Sequence, residues 1–488
     1  MSRSAPVVPA RTSFLLALGA LALTACGGGV DGTPGGSGVR DPYFPKAGNG
    51  GYDVTHYDLT LAYDPGSARL TGRATLTARA TQDLSAFDLD LQGLDVDEVT
   101  VDGQDARWNR TGQELTVRPR DELDEDGTFR VTVRYSGTPQ TITDPDGSEE
   151  GWLRTADGAL ALGEPTGSMA WYPGNHHPSD KAAYDLAVTV PQGLTAVSNG
   201  ELTGETTRGG RTTYSWHTAE PMASHAATLA VGRYAITRYD LNRAAPASAP
   251  AATSPTSSTA STPRLSVYIA VDPKEAAASR TVLARIPEIM RWAEDTFGPY
   301  PFSSAGAIVD RAGDAGYALE TQNRPVFPGA PDTATLVHEL AHQWYGDSVT
   351  PKTWQDMWLN EGFATYAEWL WEEDHGGDSA QRTFDALYDH GEDTHEDLWS
   401  FPPAEPESAA HISGSPVYQR GAMVLHQIRR TMGDTAFRAL LRGWAAAHRH
   451  GTADTGDFTA YVERQAPGAD FSGIWEEWLY GEGKPARD

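Results

Sequence analysis

At the centre of the 488-residue chain stands Thr335-Leu336-Val337-His338-Glu339-Leu340-Ala341-His342-Gln343-Trp344-Tyr345. Positions four apart share one face of a helix, so His338 and His342 present two imidazoles toward one point. Leu336, Leu340 and Trp344 fall on a separate apolar face. Asp332 stands where an N-cap is needed, and no Pro or Gly interrupts the run from there to Tyr345. Two imidazoles cover only one edge of a tetrahedral ion, and a catalytic zinc takes three protein ligands and leaves the fourth position to water. Glu361, in Trp358-Leu359-Asn360-Glu361-Gly362-Phe363, is the candidate third ligand. Leu359, Phe363, Ala367 and Leu370 trace the buried face of a second helix that can pack on the first and deliver a carboxylate. Two neutral imidazoles and one carboxylate leave one Zn2+ cationic enough to bring the pKa of its water toward about 7. Glu339, between the two ligands, is then placed as the general base.

Those helices belong to the second of two compositionally different halves. From Tyr52 to about Tyr239, segments such as Leu59-Leu61-Tyr63, Ala74-Leu76-Ala78 and Phe129-Val131-Val133 alternate apolar and polar residues between Gly, Asp and Pro turns. That period predicts antiparallel sheet, and so a β-sandwich-like domain over residues 43–240. Residues 241–263 are almost entirely Ala, Pro, Ser and Thr, which cannot bury a core, and read as a linker or insertion. A strand at Arg264–Ile269 then opens a helix-dominated domain, 264–488. Helical periods are expected over Val282–Phe297, Thr333–Tyr345, Leu359–Trp371, Ala422–Met432 and Ala436–His448. The fold class expected is therefore α+β and multidomain.

The N-terminus has the build of a secretion signal: Arg3 and Arg11, the apolar run Phe14 to Leu23, then Thr24-Ala25-Cys26. The run is shorter than the roughly 20 residues of a permanent span. Leu23-Thr24-Ala25-Cys26 resembles the lipobox of bacterial lipoproteins, in which the cysteine is acylated. Residues 1–25 are then the removed signal, Cys26 the lipid anchor, and the Gly-rich stretch 26–42 a tether, with order expected from about Tyr43. As Cys26 is the only cysteine, the mature chain has no disulfide. A net charge of -28, with 66 Asp and Glu against 38 Lys and Arg, excludes a nucleic-acid binder, which needs clustered cations.

The stretch HELAHQWYGDSVTPKTWQDMWLNEGFATYAEWLW closely resembles the gluzincin aminopeptidases, the group of aminopeptidase N and leukotriene hydrolase. The similarity runs from about Tyr43 to the C-terminus and includes Gly50-Gly51-Tyr52-Asp53-Val54. It implies an N-terminal β-domain followed by a thermolysin-like, mainly helical catalytic domain. Tyr317-Ala318-Leu319-Glu320-Thr321 resembles the family's Gly-Ala-Met-Glu-Asn edge strand, which pairs with the substrate backbone and whose glutamate, here Glu320, binds the free α-ammonium. Ala318 and Glu320 are the two residues retained unchanged. Glu164, in Gly163-Glu164-Pro165, falls where the β-domain contributes a second amine ligand. Tyr418, in Pro416-Val417-Tyr418-Gln419-Arg420-Gly421, matches the tyrosine whose hydroxyl stabilises the tetrahedral oxyanion, a donor whose loss costs about 10²- to 10³-fold.

The resemblance thus implies an aminopeptidase acting on peptides with a free N-terminus. Two alternatives use the same residues: a thermolysin-type endopeptidase without amine recognition, and a non-catalytic surface binding lipoprotein, which would be expected to lack a ligand or the base. The chain ends too soon after Tyr418 for the large C-terminal helical domain of many relatives, and a more open active site is expected. His176 and His177, in a Pro- and Gly-flanked loop, read as structural, and Glu368, two helical turns beyond Glu361, as a solvated helix charge.

Overall fold

Alternation in the first half produces an eight-stranded sheet whose spatial order is Glu201–Arg208, Arg211–Ala223, Lys181–Pro191, Tyr52–Asp64, Arg69–Ala80, Thr128–Gly137, Asp95–Val101 and Gln104–Asp105. All neighbours are antiparallel except Tyr52–Asp64 and Lys181–Pro191, which run parallel with Leu59 opposite Leu186. The computed structural model describes residues 30–242 and 264–487. Leu59, Leu61, Tyr63, Ala74, Leu76, Ala78, Phe129, Val131 and Val133 are all buried, as the period of two requires. A five-stranded antiparallel sheet closes over part of this core. In it Ala159–Leu162 pairs with Glu149–Arg154 on one side and Leu229–Gly232 on the other.

The second half starts from a four-stranded sheet in the order Ala235–Asn242, Arg264–Val271, Ser304–Val309, Val326–Phe327. Its helices are α1 (Ala276–Leu283), α2 (Ile286–Phe297), α3 (Thr333–Ala341), α4 (Trp358–Asp374), α5 (Ala380–His390), α6 (Gly421–Met432), α7 (Asp434–Ala447) and α8 (Thr455–Gln465). Ala235–Asn242 is an exposed edge, whereas Arg264–Val271 and Ser304–Val309 are largely buried on both faces. Val267, Ile269 and Val271 face the helical core, while Tyr268 and Ala270 join the core of the β-domain. A strand sandwiched in this way reads as a continuous apolar run, which is how Arg264–Val271 reads. Each such side chain contributes about 1.5–3 kcal/mol by leaving water.

Three expectations need correction. The segment expected to be a tether, 26–42, is folded over its described part: Thr33–Pro34 pairs in parallel with Leu84–Ala86, and Asp41 is buried. The Asp41 carboxylate accepts from the backbone N–H groups of Tyr43 at 2.8 Å, Phe44 at 2.9 Å and Trp354 at 2.9 Å, so its charge is satisfied only against the folded body. Second, Ala235–Asn242 pairs with Arg264–Val271, so the β-domain ends near Gly232 rather than at 240, and Leu241 and Asn242 are strand rather than linker. Third, α1, α5 and α8 were not among the expected helices: the one expected over Val282–Phe297 is α2, and it overlaps α1 only at Val282 and Leu283. The signal 1–25, Cys26 and residues 243–263 lie outside the described residues.

The two halves are locked by Arg324, which is 1% exposed. Its guanidinium donates to the carbonyls of Ser198, Gly200 (2.9 Å) and Tyr268 (3.2 Å). It also lies between the rings of Trp216, at 4.8 Å, and Tyr268, at 5.0 Å. Asn199 Nδ2 adds a bond to Gln322 O at 2.7 Å, and Gly200 N donates to Asn323 Oδ1 at 2.9 Å. Replacing the guanidinium by an alkyl group leaves three buried carbonyls without a donor, at about 1–3 kcal/mol each. Arg324→Leu is accordingly expected to lower the unfolding free energy by about 3 kcal/mol or more in urea titration, and a loss under 1 kcal/mol would show that the seam is held elsewhere.

Candidate metal centre

Asp332 caps α3, its carboxylate accepting from Thr335 N at 2.8 Å. The helix ends at Ala341 rather than Tyr345, and His342 is its C-cap, its N–H still bonded to His338 O at 3.2 Å. The chain turns sharply at Gly346, with φ at +127°, where a Cβ would strike the Asn360 side chain. That turn aims the Tyr345 carbonyl back at His342 Nδ1, 3.1 Å away. The early end of the helix therefore fixes the second histidine.

Glu361 enters from α4, a helix buried nearly all round. His338 Nε2 lies 3.2 Å and His342 Nε2 3.4 Å from the same Glu361 oxygen. Ligand atoms of His338, His342 and Glu361 all fall within 4.8 Å of one another. Both Nδ1 atoms face acceptors, which assigns the protons there and leaves both Nε2 lone pairs free to converge on one point. Burial opposes charge on both imidazoles, yet the neighbouring carboxylates outweigh it and hold both above their ordinary range. Glu361 is held below its own range, because the two histidines outweigh its burial. A donor set of two nitrogens and one oxygen, in a pocket that calls for positive charge, fits one tetrahedral divalent ion.

Glu368 is not the solvated charge expected of it. Its carboxylate stands 2.6 Å from His338 Nδ1, on the side of the ring away from Glu361. Spacing seven positions beyond Glu361, which puts both on one helix face, was the available signal. What the spacing lacked was the identity of the partner across the helix contact. Sequence reasoning also passed over Lys181, whose Nζ donates to the carbonyls of Asp347 (2.8 Å) and Ser348 (3.1 Å) just past α3.

Glu339 is buried on α3, and one of its oxygens has no hydrogen-bond partner. Burial pushes its carboxyl up to about 8, against the pull of His338 and His342. Glu320 lies beside Leu319, whose backbone makes an isolated antiparallel bridge to Val326 rather than the full edge strand implied by the resemblance. Gln343 Nε2 donates to Glu320 O at 3.3 Å, and Asn360 Nδ2 to Glu320 Oε1 at 2.6 Å, so the segment just past α3 and helix α4 both position it. Glu164 reaches the same place from the β-domain. Oxygens of Glu164, Glu320 and Glu361 lie within 4.8 Å of one another, and buried Glu164 Oε2, 3.8 Å from His225 Nε2, has no hydrogen-bond partner. Burial first, then the charges of Glu320 and Glu361, hold Glu164 well above its ordinary range. Glu164, Ala318, Glu320, Glu361 and Tyr418 line one cavity.

Tyr418 stacks parallel to His338, ring centroids 6.1 Å apart. It lies in a widened turn, Pro416–Arg420, that leads into α6. Gly362 and Gly421 meet backbone to backbone, and a Cβ at Gly362 would come within 3.0 Å of the Gly421 carbonyl carbon. This close approach of α4 to α6 sets Tyr418 over the ligands. Burial, followed by the charges of Glu361, Glu320 and Glu164, keeps its hydroxyl protonated and thus a donor. His176 and His177 lie elsewhere: His176 Nε2 is 3.0 Å from Tyr172 O, and His177 contacts Asp41 and Ser179. Among the described residues, all three groups able to hold a metal ion fall at the one site.

Removal of the Glu368 charge tests the support it gives to His338. Glu368→Gln is expected to fold normally and to bind its metal ion about 10- to 100-fold more weakly, measured by competition with a chromogenic chelator; unchanged affinity would leave Glu368 without a role at the site.

The Peptidase M1 N-terminal domain profile matches residues 54–225, and the Peptidase family M1 domain profile matches residues 330–478. The crystal structure of an M1 zinc metallopeptidase from Deinococcus radiodurans, a mutant bound to the substrate Tyr-Ser-Ala, superposes with a TM-score of 0.81 at 32% identity, covering 92% of this chain and 99% of that one. Aminopeptidase 2 of Candida albicans is 23% identical over 88% of this chain and 47% of its own length. Leukotriene A-4 hydrolase of Xenopus laevis is 25% identical over 65% and 51%, respectively. The chain spans about half the length of the curated relatives it matches. With both profiles in register on the two domains, and a solved relative matched almost end to end, this chain belongs to peptidase family M1.

Proposed function

We propose that the protein is a zinc-dependent aminopeptidase that releases one N-terminal residue per turnover from peptides with a free N-terminus. The observation that carries this reading is the convergence of Glu164, Glu320 and Glu361 oxygens within 4.8 Å beside the two histidines. Buried carboxylates without a counter-charge are costly, and a substrate ammonium supplies what Glu164 and Glu320 lack. The solved relative with Tyr-Ser-Ala bound supports the same substrate class.

His338, His342 and Glu361 would hold the zinc, which would supply Lewis acidity and a nucleophilic water near neutral pH. Glu368 and the Tyr345 carbonyl orient the two imidazoles. Glu164 and Glu320 fix the ammonium, so that the first carbonyl of the peptide, and no later one, reaches the ligands. Glu339, in its carboxylate form, accepts the proton of the attacking water and returns it to the departing amine. Tyr418 donates its hydroxyl proton in a hydrogen bond to the developing oxyanion, where a preoriented donor is worth several kcal/mol. The backbone around Ala318, which lines the cavity, would pair with the extended peptide.

We also propose that Cys26 is the acylated N-terminus of the mature protein, anchoring it to the extracytoplasmic face of a bacterial membrane. Support comes from Arg3, Arg11, the apolar run and Leu23-Thr24-Ala25-Cys26. Cys26→Ser is expected to move the protein from the membrane fraction to the soluble one; retention in the membrane would refute the anchor.

The aminopeptidase reading is tested by comparing aminoacyl amides with their N-acetylated counterparts before and after chelation. Cleavage of the free amines alone, abolished by the chelator and restored by zinc, is the expected outcome. Equal cleavage of blocked substrates would mark an endopeptidase and remove the roles given to Glu164 and Glu320.

A further inference from the structure

Arg420 stands two residues after Tyr418 and is wholly buried, at 0% exposure. Its Nε donates to Trp478 O at 2.9 Å, and its Nη2 donates to Glu477 O at 2.9 Å and to Gly481 O. Its Nη1 donates to Phe401 O at 3.3 Å. All four acceptors are main-chain carbonyls, so dipoles rather than a carboxylate receive the charge, and burial draws the guanidinium below its ordinary range, to about 10. Taking such a group out of water is costly, and only full use of its planar fork offsets the cost. The segments that it bonds are held in one fixed relation.

Those segments come from three parts of the chain. Glu477 and Trp478 lie at the end of Ile474–Leu479, a widened turn of the same kind as Pro416–Arg420, and Gly481 follows it. Such turns are rare and recur at functional sites. Carbonyls at the end of a helix lack donors within it, and here Arg420, at the end of one widened turn, supplies donors to the end of the other. Gly481 has no room for a side chain, since a Cβ there would come within 2.6 Å of Glu477 O. Phe401 packs edge-on against His411, ring centroids 5.4 Å apart, next to Ala409 and Ile412 on the cavity wall.

An oxyanion donor has a particular need for support of this type. A hydroxyl that must donate to the reacting oxygen cannot be held by donating to another protein group, so its position has to come from the backbone that carries it. The turn that carries Tyr418 is pinned at three points. Asp397 accepts from Ser415 N at 3.1 Å ahead of it, Gly421 meets Gly362 behind it, and Arg420 ties it to the cavity wall and to Ile474–Gly481 together. We propose that Arg420 is a positioning residue for Tyr418, setting the oxyanion donor over the metal ligands through its bonds to Phe401, Glu477, Trp478 and Gly481; this rests on the oxyanion role given to Tyr418. A lysine at 420 would keep the charge but not the fork, and so could not serve all the carbonyls at once.

The test is a double-mutant cycle on the zinc-loaded protein, with kcat and KM measured on whichever of the Leu, Ala and Arg p-nitroanilides is cleaved best. Native protein, Arg420→Lys, Tyr418→Phe and the double variant are compared, with zinc content and melting temperature recorded for each. Arg420→Lys is expected to lower kcat about tenfold and to leave KM within about twofold, the signature of a misplaced group rather than of lost binding. On the Tyr418→Phe background the same substitution is expected to cost less than about twofold more, because the group that it positions is already gone. An equal loss on both backgrounds, a loss carried by KM, or no loss at all would overturn the positioning role and leave the aminopeptidase intact. Tyr418→Phe as fast as the native protein would overturn it too. Should Arg420→Lys fail to fold, Gly481→Ala, which displaces one acceptor and keeps the guanidinium, decides between the same outcomes on the same two backgrounds. Cleavage of none of the three substrates by the native protein would overturn the aminopeptidase reading itself and the positioning role with it.

Discussion

Four glutamates, Glu164, Glu320, Glu339 and Glu361, have been drawn out of water into one small volume at the junction of two domains. Desolvation of an unpaired carboxylate is among the largest penalties a fold can carry, so the neighbourhood has to supply cations or protons. Among the described residues three histidines stand beside them, and burial holds one, His225 at 3.8 Å from Glu164, well below its ordinary range and so uncharged, which leaves His338 and His342. The remaining demand for positive charge explains the two things the site is built to admit: a divalent ion at the histidines and an ammonium at the outer pair. Every element around the site helps to prevent the carboxylates from relaxing apart. The Gly346 turn fixes His342, Asn360 and Gln343 fix Glu320, and Glu368 fixes His338.

The features carried by local periodicity could be read from the chain itself. The i, i+4 histidines, the cap at Asp332, the helix bearing Glu361 and the alternating strands all rest on spacings of 3.6 or 2 residues, and these spacings survive in the structure. Glu164, Glu320 and Tyr418 carry no such local mark. They were found through a family resemblance, because their meaning arises only when distant segments meet. Glu368 shows the boundary between these cases: its helix face was predictable, but the ring of His338 behind it was not. The N-terminal segment failed for a related reason. Its composition resembles a flexible spacer, and the buried Asp41 that pins it makes its long-range contacts with Trp354 and His177, more than 130 positions away.

Packing across the seam determines how rigid the site is. Arg324, Asn199 and Lys181 each bond backbone groups of the opposite domain, and the Arg264–Val271 sheet belongs to both cores. Glu164 therefore keeps its distance from the metal ligands without help from a closing motion. A ruler that measures from the substrate's N-terminus needs that fixed length, since a shift of about 1 Å in a bound group can cost about 10²-fold in rate.

That shared sheet also bears on how such a protein can diversify. Tyr268 and Ala270 are built into the β-domain although they lie on a strand of the catalytic half, so neither half is a cassette to be exchanged whole between lineages. A transplanted β-domain would meet a surface cut for another. Variation must therefore enter through segments that touch the cavity but carry no seam contacts. The turn at Asp144–Ser148, which lines the cavity, is one of these, and its sequence can drift while the metal ligands stay as they are.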